Sequence, residues 1–321
     1  MPPSPLDDLA NSPAALVAAF LFGTLWGSFA NVCIYRWPPT DAHPNGRSVV
    51  HPGSHCGVCG HAVRWYDNVP ILSWLWLRGK CRDCGTGFSA RYLLVEAVTG
   101  ALFAAAWWFA VVARAPLEPI DDRMVRFAIG AAFVWTMVVI LFTDLDHKLV
   151  LPLPSYPAIP IFYGLGLLLP DRHWPDGLIG IAVGYGVVRL IADGFYYLTG
   201  REGMGYGDGV ILAVVGALLG WRGVVVGLFG GAMLGTVIAV PALLVARARG
   251  GAGEPPAAKP DAPAAKPDAP AAKPDAPTDE AADDADAGLA RVEVPFGPFL
   301  AMAALFWWFA APYVTLQLLG Q

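Results

Sequence analysis

The sequence predicts an all-α polytopic membrane protein with about eight transmembrane helices and a small cytoplasmic zinc-binding loop domain. Three observations lead there. Of 321 residues, 56% are hydrophobic and only 15% charged, where a soluble chain carries about a quarter charged residues. Apolar runs long enough to cross a hydrocarbon layer of about 30 Å recur from end to end. In the polar gap after the first run, four cysteines stand as two CxxC pairs.

Windows of about 20 apolar residues place spans near 13–35, 92–113, 124–143, 155–170, 175–197, 209–221, 224–246 and 295–317, the fourth and sixth being short. The first run lacks a basic leading region and continues into the polar stretch GSFANVCIYR, so it reads as a retained helix rather than a signal peptide. Lys and Arg collect in short loops on the cytoplasmic side. The loop after the first span carries Arg36, Arg47, Arg64, Arg78, Lys80, Arg82 and Arg91, and the loop after the seventh carries Arg247, Arg249 and three lysines. The opposite loops hold Arg114, Arg123, Arg126, Arg172 and Arg222. The balance puts the cysteine loop on the cytoplasmic side and both termini outside. The net charge of −5 gathers in one acidic segment and gives no ground for a nucleic-acid partner.

Five regions follow: a first transmembrane helix (1–35), a cytoplasmic tetracysteine loop (36–91), a transmembrane core (92–248), a Pro/Ala/Asp-rich cytoplasmic linker (249–290) and a last transmembrane helix (291–321). In the linker, KPDAPAA recurs with a period of seven from Lys259. Its prolines forbid a helix, and its composition cannot bury enough apolar area to offset ordering entropy, so it reads as a disordered spacer.

Cys56, Cys59, Cys81 and Cys84 form CxxC, 21 residues, CxxC, a spacing that suits tetrahedral Zn²⁺ in a closed structural site. Disulfides and redox chemistry are the rival readings. The reduced cytoplasm argues for metal. His51, His55 and His61 flank the knuckles and read as ordinary loop residues, because four thiolates already satisfy the ion. Trp65, Tyr66, Trp74 and Trp76 between the knuckles form an aromatic surface expected at the membrane interface. Cys33, with no nearby histidine to activate it, reads as a small packing residue.

Asp144 and Asp208 lie at the edges of apolar runs. Ionisable side chains at membrane depth are costly and are kept for proton or ion chemistry. Gly203, Gly205 and Gly207 before Asp208 let backbone approach closely. Two such carboxylates that share one proton can hydrolyse a peptide, one as acid and the other activating water. Asp146 competes with Asp144, from which it projects on another helix face. Glu96 reads as an ion-pair partner for an arginine, with holding the cysteine loop or lining a substrate groove as alternatives. Arg189 and Asp193, spaced i, i+4, read as a pair.

GMGYGD with its partner aspartate resembles the GxGD aspartyl proteases, and within them the type IV prepilin peptidases, or prepilin leader peptidase/N-methyltransferases. The blocks GSFANVCIYRWP, CGVCG, CRDCG, RYLLVEAVTG, DLDHKL, EGMGYGD and PFGPFL carry the likeness along nearly the whole chain. The resemblance assigns catalysis to Asp144 and Asp208, and it implies removal of the leader of type IV prepilins or pseudopilins after a glycine, at the cytoplasmic face of a bacterial inner membrane. It also implies N-methylation of the new amino terminus from S-adenosylmethionine. Leu151 and Val210 stand where the family usually has proline and lysine, and Glu202 matches the family's residue before GMGYGD. The roles of Asn31 and Arg36 do not follow from the sequence. A peptidase without methyltransferase activity, a proton-coupled transporter using the aspartate pair and a non-catalytic scaffold are the alternatives.

Overall fold

The computed structural model describes residues 5–115, 117–200, 205–248 and 295–319. The expected linker at 249–290, together with Glu202 and Gly203, lies outside the described residues. The chain forms two compact units, Met1–Leu234 with Pro295–Gln321 and Gly235–Val294.

Among the described residues the fold is helical, with isolated β-bridges in place of strands. A short α1 (Pro5–Ala10) precedes α2 (Pro13–Arg36), which Ser12 caps by accepting the Ala15 N–H. A loop holding a 3₁₀ turn (Trp65–Asn68) and the five-residue α3 (Leu72–Trp76) leads to α4 (Arg91–Trp107) with its π-turn extension, Trp108–Val112. Then come α5 (Ile120–His147), α6 (Pro152–Gly166), α7 (Trp174–Thr199), α8 (Tyr206–Ala248) and α9 (Gly297–Leu319).

Each of the eight apolar runs is helical, and among the described residues five helices reach the length and apolarity of a membrane crossing: α2, α4 with its extension, α5, α7 and α8. Helix α6 falls short, at 15 residues with Pro157 and Pro160 inside it, whereas α9, at 23 residues, has the length of the last expected span. Helix α8 contains two of the expected spans. Its Gly220 leaves the helical region at φ 69° and ψ −175°, a left-handed value that glycine adopts without a Cβ penalty. Beyond it the chain folds back, because a Cβ on Gly227 would stand 3.2 Å from Leu212 Cδ2. Limbs 206–219 and 221–234 are therefore a helical hairpin.

The first limb of α8 and the inner part of α5 are the core. Ile211, Leu212, Val214, Val215, Phe133, Val134 and Met137 are fully buried, and a helix apolar all round belongs inside. Close approaches are built on small residues, as membrane helices require in the absence of a strong hydrophobic drive. A Cβ on Gly27 would meet Glu96 Cα at 2.7 Å, which presses α2 onto α4, and Gly180 faces Gly216 across α7 and α8. Cys33 is buried, as a packing residue should be.

Arg123 and Arg126 are held internally. Arg123 is 1% exposed, pairs with Asp7 and donates to the Val111 carbonyl at 2.9 Å. Arg126 pairs with Glu118 and with Asp171 at 3.0 Å.

Candidate active site and metal site

Asp144 lies in the last turn of α5, which closes on Lys148 in the left-handed conformation, its N–H donating to the Asp144 carbonyl at 2.8 Å. Asp208 lies in the first turn of α8, where its N–H donates to the Gly205 carbonyl at 3.1 Å. Both carboxylates are buried, at 5% and 8% exposure, and the charge of Asp144 acts directly on Asp208. They sit at the ends of the two most buried elements, so the core that aligns α5 with α8 also brings the carboxylates together.

Two glycines close the site. A Cβ on Gly207 would lie 2.7 Å from Val150 Cγ2, so the glycine before Asp208 admits the chain that leaves α5. Gly297 opens α9 and donates its N–H to the Asp144 carboxylate. A Cβ there would stand 2.5 Å from Asp144 Oδ2 and 2.9 Å from Ile211 Cδ1. The first turn of a helix presents unpaired amides and a positive dipole end, so α9 braces one carboxylate as α8 carries the other. Sequence reasoning assigned no role to Gly297. Its signal was the GP pair of PFGPFL ahead of an apolar run, which marks a helix start.

Asp146 stands apart: it is exposed and ion-paired with Arg91, whose guanidinium also lies 5.3 Å over the Phe142 ring. Arg91 thus ties α4 to the end of α5. Arg189 and Asp193 pair at 2.9 Å as expected, and Tyr206 joins them by donating to Asp193 Oδ1 at 2.9 Å. Val210 and Leu151 are both buried apolar residues.

Glu96 corrects an expectation. Its buried carboxylate accepts the Ile71 N–H at 2.7 Å and the Ser28 hydroxyl rather than pairing with an arginine. Ile71 has φ 63°, unusual for a β-branched residue, and its amide is turned toward Glu96. Asn31 donates to the Tyr92 carbonyl at 3.1 Å, and Arg36 donates to the carbonyls of Ser48 at 3.0 Å and Gly53 at 3.4 Å. Asn31, Arg36 and Glu96 therefore dock the cysteine loop and α4 against α2.

The two knuckles repeat one geometry. In the first, Cys56 N–H donates to the His61 carbonyl and Gly60 N–H to the Cys56 carbonyl, both at 2.9 Å. In the second, Cys81 donates to Thr86 at 2.7 Å and Gly85 to Cys81 at 2.9 Å. Gly60 and Gly85 share φ 72°. All four cysteines are free thiols whose sulfurs lie within 4.8 Å of one another. Cys56 Sγ to Cys84 Sγ is 3.8 Å, far beyond a disulfide and close to the roughly 3.8 Å edge of a tetrahedron with Zn–S of about 2.3 Å. The donor set fits zinc.

Around the knuckles, Arg82 grips Asp67 bidentately at 2.7 and 2.5 Å and holds its carboxyl below the usual range. Trp65 and Trp76 are both 82% exposed. Trp74 departs from the expected aromatic surface, because its ring is turned in against Gly79.

The bacterial peptidase A24 N-terminal domain matches residues 21–110, and the type IV leader peptidase family matches residues 131–240. Among curated relatives, the prepilin leader peptidase/N-methyltransferase of Myxococcus xanthus (strain DK1622) is 33% identical over 94% of this chain and 92% of its own length. Proteins of the same description from Aeromonas salmonicida (strain A449) and Pseudomonas aeruginosa are 34% and 32% identical, over 70% and 77% of this chain and 80% and 87% of their own lengths. No solved structure matches.

Proposed function

The chain belongs to the type IV leader peptidase family, and on that premise we propose that Asp144 and Asp208 cleave the leader of type IV prepilins or pseudopilins after a glycine. The supporting observation is the pair of buried carboxylates at the facing ends of α5 and α8, near enough for one charge to act on the other. One carboxyl in the protonated form donates to the scissile carbonyl oxygen, and the ionised one takes a proton from the attacking water. The proton then passes to the leaving amine as the tetrahedral intermediate collapses. The two titrate as a pair. The Gly297 amide fixes the rotamer of Asp144, and apolar walls such as Ile211 keep bulk water out.

In this reading the enzyme is a multi-pass protein of a bacterial inner membrane with its aspartates facing the cytoplasm. The basic loops around the cysteines favour that orientation. Cys56, Cys59, Cys81 and Cys84 hold a structural Zn²⁺, whose chemistry is to cross-link the loop. The relatives' descriptions as N-methyltransferases support a second activity on the new amino terminus, with S-adenosylmethionine as donor; no described residue is assigned to that donor. The region from 249 to 290 acts as a spacer.

The test is incubation of the purified protein with a prepilin, followed by mass spectrometry with and without S-adenosylmethionine. Leader loss in both samples and one added methyl group only with the donor are expected. An uncleaved prepilin with folded, inserted enzyme would defeat the reading.

A further inference from the structure

A half-open cavity of about 230 Å³ lies far from the aspartates, lined by Arg114, Arg126, Arg172 and Arg222. Arg126 is about 27 Å along α5 from Asp144 at 1.5 Å per residue, close to the thickness of a bilayer's hydrocarbon core. The cavity therefore sits at the opposite membrane face, where head groups begin. Trp307 and Trp308 also line it, and tryptophan favours that level.

Its charges do not balance. Arg114 pairs with Glu118, and Arg126 with Glu118 and Asp171. Arg172 donates to the Leu219 carbonyl at 2.8 Å and feels Asp171 and Asp176. Four guanidinium groups thus meet three carboxylates. The surplus rests on Arg222, whose described contact is the Trp221 ring at 5.6 Å and whose charge repels that of Arg172. Cations on this face run against the usual sidedness of membrane loops. Internal ion pairs account for Arg114 and Arg126, while Arg172 and Arg222 have capacity left for an anion. The break at Gly220 starts the second limb of α8 between Leu219 and Arg222, both of which line the cavity, and amides in the first turn of a helix favour an anion there.

We propose that this cavity binds a phosphate group, supplied by the head group of an anionic phospholipid in that leaflet or by a free phosphate. Guanidinium forks match phosphate oxygens in pairs. The volume falls below the roughly 300–1,000 Å³ of sites that enclose a drug-sized ligand, so a head group enters while acyl chains stay in the bilayer. The depth and the tryptophans favour the lipid.

The test compares purified full-length protein in phosphatidylcholine nanodiscs, in the same nanodiscs containing phosphatidylglycerol, and in the former with millimolar inorganic phosphate, reading melting temperature and lipid retention by native mass spectrometry. Phosphatidylglycerol should raise the melting temperature of the wild type and remain bound to it. Arg222→Gln, which breaks no ion pair, should weaken that retention about tenfold or more, as expected for losing a hydrogen bond to a charged group, and R172A/R222A should abolish it. A rise with inorganic phosphate that is lost in Arg222→Gln supports the site and makes free phosphate its source. Equal responses of wild type and Arg222→Gln in all three settings overturn the proposal.

Discussion

The cysteine loop and the helical core solve the same problem in opposite ways. In the core, Phe133 and Val134 are completely buried, and helices meet at glycines where a Cβ would collide. In the loop, Trp65 and Trp76 face outward at 82% exposure, while cohesion comes from four clustered thiols, two ion pairs and backbone turns. A segment with so little buried apolar surface needs a cross-link to hold one conformation. The core needs none. The regions are joined by directed polar contacts from Arg36 and Glu96, so the loop can fail while the core persists.

That contrast breaks most sharply at the aspartates. Asp144→Asn and Asp208→Asn should each reduce leader cleavage by at least about 10²–10⁴-fold, the usual scale of a lost acid or base, with insertion and melting temperature near wild type. Asp146→Asn, which removes only the partner of Arg91, should keep substantial activity. Near-normal cleavage by either of the first two variants would falsify the aspartyl mechanism.

Gly297→Ala comes next. The added methyl group meets Asp144 Oδ2 at 2.5 Å and must displace the carboxylate or the start of α9. A misplacement of about 1 Å in a catalytic group can cost about 10²-fold. The expected loss falls on kcat in steady-state cleavage assays, with the protein still folded; unchanged kcat would mean that α9 does not position Asp144.

Zinc removal acts on the other region. Metal analysis should find about one zinc per chain, the capacity of one Cys₄ cluster. Chelation, or Cys→Ser at any of the four positions, should expose the loop to limited proteolysis before helical circular dichroism changes. Simultaneous loss of loop and helices would show that the two regions form one cooperative unit.

The smallest effect concerns Asp67. Arg82 holds its carboxyl below the ordinary value near 3.9, so the pair's contribution is complete above that value and disappears as pH falls through the lowered one. With zinc bound at neutral pH, Asp67→Asn should make the loop more open to limited proteolysis than wild type, and high salt, which screens the ion pair, should narrow the difference. A difference independent of salt would assign Asp67 a packing role.

Much of this molecule was legible in order along the chain. The apolar runs marked α2, α4, α5, α7 and both limbs of α8, because bilayer thickness imposes length and apolarity locally. The CxxC pairs identified their own cluster, because ligand number and spacing are written in sequence. Asp208 was marked by its glycines, though their reasons differ: Gly207 makes room for Val150, whereas a Cβ on Gly205 would meet nothing closer than 4.0 Å.

What packing decided was which residues meet across long separations. That α9 begins against Asp144, that Glu96 takes the Ile71 amide instead of an arginine, and that Trp74 turns inward follow from how helices and loop are juxtaposed. No local pattern encodes them. A buried carboxylate accepts whichever donor the surrounding backbone presents, and a methyl group's worth of space at Gly297 exists or not according to three helices at once. Composition and periodicity determine which segments enter the membrane and which thiols can share a metal. Only the close approach of α5, α8 and α9 brings two costly aspartates near each other and supplies an amide to hold one of them.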